Sequence, residues 1–133
     1  MAHAGALRQQ GGDELLSETI QNDWRKADLT PAEREMLECT EKLTVAPSSM
    51  TEDDIERLRA VGWTDRDILD IVHVCAYFNL RVRVVDGLGL KHTPERYEAA
   101  RQNRRKAEQL AAARGGELPA DIWGITRELE ATP

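Results

Sequence analysis

The chain has 133 residues, 41% of them hydrophobic and 32% charged, with a formal net charge of −6, a composition that suits one domain able to bury most of its apolar side chains. Its longest apolar run, Ile71 to Leu80, is interrupted by His73 and Asn79 and falls short of the roughly 18 residues a membrane span needs, so no membrane partner is expected. No charged leader followed by an apolar stretch and a small-residue cleavage site opens the sequence, which makes a cytoplasmic location the expectation.

The elements read as helices from end to end, because β-branched alternation is nowhere sustained and capping signals recur. Gly11 and Gly12 end a first segment, and Asp13 caps a helix whose Leu15, Leu16, Ile20 and Trp24 recur at helical spacing. Thr30-Pro31-Ala32-Glu33 is a capping box with proline at the first helical position, where its missing N–H costs nothing. The next helix carries Met36, Leu37, Thr40, Leu43 and Thr44 on one face and stops before Pro47. Thr51 opens a short helix in which Asp54 stands in for the glutamate of the box, and Gly62 closes it.

Thr64-Asp65-Arg66-Asp67 then opens the longest helix, apolar nearly all round from Ile68 to Leu88. Such a helix is expected to be central, or buried by a partner subunit, and a homo-oligomer is expected on that ground. Within it Asn79, Arg83 and Asp86 fall on one face and predict a polar ladder. A last long helix runs from Thr93-Pro94-Glu95 to about Arg114 with a thin apolar stripe, and reads as an arm. The expected organisation is thus a helical domain over 1–90 and a C-terminal arm or tail over 91–133.

Charge is unevenly spread: the stretch from Lys91 to Arg114 holds seven Lys or Arg against three Asp or Glu. It lacks interleaved aromatics and sits beside an acidic body, so it is read as a solvated helix face with no nucleic-acid partner. The segment from Thr51 to Leu80 imitates a helix-turn-helix, yet its second helix would offer Asp65, Asp67 and Asp70 to a groove, which argues against DNA reading. Cys39 and Cys75 form no Cys-x-x-Cys pair, so neither a disulfide framework nor a metal site is expected, and no cofactor. Cys75, in an apolar run, is read as a buried packing residue, and Cys39, among acidic neighbours, as structural. His73 has two readings, a proton relay and a hydrogen-bonded core histidine, the second preferred. Trp24, Trp63 and Trp123 read as core or interface anchors.

The stretch Leu29 to Leu90 carries "EKLT" followed by a proline, "TEDDIERLRAVGWTDRDIL", "AYFN" and an R-x-x-D-G-L-G close. In order and spacing these resemble the second half of the alkylhydroperoxidase D-like proteins of the carboxymuconolactone decarboxylase superfamily, in the branch called uncharacterised peroxidase-related enzymes. The resemblance implies an all-α alkylhydroperoxidase D-like helical bundle, here shortened at the N-terminus, with a long central apolar helix. It also implies thiol-dependent reduction of a hydroperoxide or other small-molecule substrate by a Cys-x-x-Cys-x-x-x-His helix. "HAGALRQQGGDE" matches the closing part of that motif region and places His3 on the motif's last histidine, the one candidate catalytic residue, while both motif cysteines would fall before Met1.

Peroxide reduction needs a thiolate and a resolving thiol a turn away, and the family's histidine and glutamate relay the proton. The chain therefore reads as a shortened product, one with a wrongly assigned start, or a relative that has given up the reaction, and is expected to be inactive. Two alternatives stand beside that reading: a structural or regulatory oligomeric subunit, and a cysteine-independent decarboxylase-like enzyme using His3 or His73 as general base.

Overall fold

The structure is a computed structural model that describes residues 13–122 and 124; His3 and Trp123 lie outside them. All regular structure among the described residues is helical: α1 (Glu14–Asp23), α2 (Pro31–Val45), α3 (Glu52–Ala60), α4 (Asp65–Gly87) and α5 (Pro94–Ala113), with single 3-10 turns at Trp24–Lys26 and Pro47–Ser49. The described residues form two compact units, one from the segments up to Asp28 and from His92 onward, the other from Leu29–Lys91.

Each helix start in the second unit is fixed by the chemistry of a few neighbouring residues. At α2, Glu33 N–H donates to Thr30 Oγ1 at 3.2 Å and the Glu33 carboxylate accepts the Thr30 N–H at 2.8 Å. Thr64 and Asp67 repeat this at α4, at 3.2 Å and 2.9 Å. At α3 the shorter Asp54 serves, its carboxylate accepting the Thr51 N–H at 2.7 Å. Between α3 and α4 the chain reverses through Gly62, whose φ of 102° is a conformation that glycine adopts without steric cost.

Trp63 N–H donates to Ala32 O, Cys75 S–H to Thr40 O, and Asn79 N–H to Thr44 Oγ1. Position along α4 therefore rises with position along α2, and the two helices run parallel, with α3 as the return segment. Cys39, Leu58 and Ile68 form the buried centre, with Met36, Met50, Ile55 and Trp63 packed around it.

Beside this core lies a sealed carboxylate. Asp54 is fully buried, and its oxygens accept from Lys42 Nζ at 2.7 and 2.8 Å and from Arg57 Nη2 at 2.9 Å. Arg57 also binds Glu35 at 2.6 Å. The Lys42 ammonium, then the Thr51 N–H, hold the Asp54 carboxyl well below the usual carboxylate range.

The first unit packs α5 on α1. Tyr97, Ala107 and Ala111 are buried, so the stripe read as an arm is a packing face. Two of its basic residues and the cap residue Arg114 turn to the N-terminal segment: Lys106 to Glu14 at 2.6 Å, Arg104 to Asn22 at 3.3 Å and Arg114 to Asp13 at 2.5 Å. The face expected to be solvated thus spends part of its charge on acidic partners. On α1 Leu15, Leu16 and Ile20 are only half-buried, and the buried positions are Ser17, Glu18, Thr19, Asn22 and Asp23, with Trp24 just beyond the helix buried as well. The Arg25 guanidinium lies 4.6 Å from the centre of the Trp24 ring, a favourable cation–π geometry.

The long helix corrects a second expectation. α4 is present over its expected length but is not central within the chain: Ile68 is its one buried residue, while Val74 and Leu80 are 57% and 60% exposed. None of the described helices is long and apolar enough to cross a membrane.

Two outcomes test this packing. Leu58→Ala is expected to lower the unfolding free energy by about 3 kcal/mol, the usual cost of emptying a sealed leucine site, measured by urea denaturation; a loss under about 1 kcal/mol would contradict the assigned core. Because the folded Asp54 carboxyl is depressed below its ordinary value of 3.8, its contribution is complete above that pH and is lost as pH falls below it. The urea midpoint of Asp54→Asn is therefore expected to show a shallower acid limb than the parent, and equal limbs would contradict the network.

Candidate functional site

The stripe Asp67, Ile71, Val74, Cys75 and Phe78 on α4 faces Met36, Leu37, Thr40 and Thr44 on α2, and between them lies an open groove of about 580 Å³. Its position results from the parallel run of the two helices, since residues at spacings of three and four share a face. Apolar walls with a few placed polar groups, at this size, are the usual make-up of a small-molecule site.

The groove has two chemically different regions. Near the start of α4 lie Trp63, Asp67 and Asp70, and these two aspartates are the charged residues lining the groove. The Asp67 carboxyl is held low by the Thr64 hydroxyl and N–H that donate to it. Asp70 is exposed and meets Arg66 at 3.2 Å. Two turns along, Cys75 joins a polar cluster: Sγ lies 3.5 Å from Thr44 Oγ1, 3.4 Å from Asn79 Nδ2 and 3.6 Å from Thr40 O. Asn79 further accepts from Arg83 Nη1 at 2.8 Å, so the predicted ladder runs from Arg83 through Asn79 across to Thr44. Asp86, its third expected member, is exposed.

The cysteines separate by environment. Cys39 is fully buried, and burial, then the negative charge of Asp54, push its thiol above the ordinary value. Cys75 is half-exposed on the groove wall, which corrects its reading as a packing residue. The polar bonds of Thr40, Thr44 and Asn79 hold it there, in a place where periodicity alone predicts core. His73 is exposed and does not line the groove, so it is neither the core histidine nor a relay within this site. His3 lies outside the described residues. Among the described residues no group of His, Cys, Asp and Glu could hold a metal ion.

Sequence reading placed Met36, Leu37, Thr40 and Thr44 on one face but did not pair them with Trp63, Asp67 and Asp70. The signal was present in the matching spacings of the two helices; the parallel direction that brings them together was not.

Two solved structures are similar to this chain. An uncharacterized peroxidase-related protein from Silicibacter sp. TM1040 is 38% identical over 71% of this chain, with a TM-score of 0.66. A second, described as an alkylhydroperoxidase AhpD core and uncharacterized peroxidase-related protein from Ralstonia eutropha JMP134, is 33% identical over 71%, with a TM-score of 0.64. This chain belongs to the alkylhydroperoxidase D-like, peroxidase-related branch. The matched region covers about half of each relative, 49% and 50% of their lengths. No protein-family model matches the sequence, and no curated protein does.

The two thiols are expected to differ in access. In the folded chain a water-soluble disulfide reagent should titrate Cys75 within minutes and leave Cys39 untouched until denaturant is added, counted by mass spectrometry. Equal labelling of both under native conditions would contradict the burial of Cys39.

Proposed function

We propose that the 133-residue chain is a peroxidase-related scaffold that does not itself reduce hydroperoxides. The observation that carries this reading is the state of its two cysteines: one is sealed with its thiol disfavouring ionisation, the other is held by hydroxyl, amide and carbonyl groups on a groove wall. A dithiol peroxidase requires a thiolate that attacks the O–O bond, giving an alcohol and a sulfenic acid, and a second thiol that displaces water from that sulfenic acid to close a disulfide. Sealing raises the pKa of the Cys39 thiol and keeps peroxide from it. The thiol facing Cys75 is the sealed Cys39, whose ionisation burial and the neighbouring charges oppose, so it is poorly suited to resolve a sulfenic acid formed at Cys75.

A second reading, an oligomeric subunit of structural or regulatory role, has its own support. Leu80, Val82 and Val84 on α4 are 49% to 60% exposed within the chain, and exposed apolar surface marks protein contacts.

Both readings have direct measurements. The purified chain with cumene hydroperoxide and a dithiol reductant is expected to consume peroxide at the uncatalysed rate; multiple turnovers abolished by Cys75→Ser would overturn the first reading. Light scattering after size exclusion is expected to give a multiple of the 15.0 kDa chain mass, and a monomer at all concentrations would overturn the second.

A further inference from the structure

We propose that the groove between α2 and α4 binds an amphipathic organic cation, an alkyl or aromatic body carrying a single ammonium group. Such binding is independent of the chemistry of the two thiols. The wall formed by Met36, Leu37, Ile71, Val74 and Phe78 supplies apolar surface for the body of such a molecule. From Asp67 to Phe78 the wall extends about 16 Å along the helix axis, which suits an elongated occupant.

Charge selects the head group. The charged residues lining the groove are Asp67 and Asp70, both acidic, and Trp63 lines it as well. Thr64 binds Asp67 through one carboxylate oxygen, Oδ2, so the second oxygen remains outside that pair of bonds. The Arg66 contact to Asp70 joins two side chains that are 79% and 56% exposed, an ion pair that water and an incoming cation readily displace. Trp63 is oriented by the bond from its indole N–H to Ala32 O at 2.9 Å, and an indole ring favours a cation over an anion. An anionic head group at this end would meet two carboxylates, and a neutral one would gain only the apolar contact.

The test is calorimetric titration of the 133-residue chain with octyltrimethylammonium, octyl glucoside and octyl sulfate, each below its micelle concentration. The cation is expected to bind one to one, roughly five- to tenfold tighter than the glucoside, with the sulfate weakest. Asp70→Asn, an exposed position outside the capping box, is expected to remove most of that preference while leaving glucoside binding unchanged. Val74→Arg, also exposed, is expected to abolish binding of all three. Equal affinity for the three head groups, tighter binding of the sulfate, no binding of any probe, or cation binding that survives Val74→Arg would each overturn the proposal.

Discussion

The buried Asp54 carboxylate is the constraint on which the Leu29–Lys91 unit depends. A sealed charge is tolerated only when its oxygens are satisfied, and here Lys42 from α2, Arg57 from α3 and the Thr51 N–H ahead of α3 all converge on it. One side chain thereby starts α3, ties α3 to α2 and orients both beside the core of Cys39, Leu58 and Ile68. The Arg57 contact to Glu35 extends the same network about two turns back along α2 from Lys42. With α3 fixed as the return segment, α4 has to run parallel to α2, and that direction creates the groove.

The thiols acquire their different characters from the same geometry. Cys39 faces inward at the level of Asp54, where both burial and a nearby negative charge oppose thiolate formation. Cys75 comes from the opposite helix and meets Thr40 and Thr44 across the groove. Fold kinship with peroxidase-related proteins does not by itself carry over their reaction.

The local signals in the sequence translated directly into structure, since capping is decided within four residues: Thr30 with Glu33, Thr51 with Asp54 and Thr64 with Asp67 all form as their spacing implies. What depends on neighbours far along the chain was not legible. Asp54 reads as a substitute capping residue, and nothing in its surroundings announces that Lys42, twelve positions earlier, will seal it. Cys75 and His73 sit in an apolar run that predicts burial, yet periodicity cannot say whether another element covers the face, and in α4 most of it is uncovered. In α5 the thin stripe of Tyr97 and small alanines packs, assisted by ion pairs from the helix and its cap to Asp13 and Glu14.

The role assigned to Asp54 is tested most directly at the amide it holds. Thr51 N–H belongs to no helical ladder and donates to the Asp54 carboxylate at 2.7 Å, so native-state hydrogen exchange should show it protected to the level of the slowest amides in α2 and α3. Exchange of that amide at the rate of an open loop, with α2 and α3 still protected, would contradict the claim that this carboxylate pins the unit together.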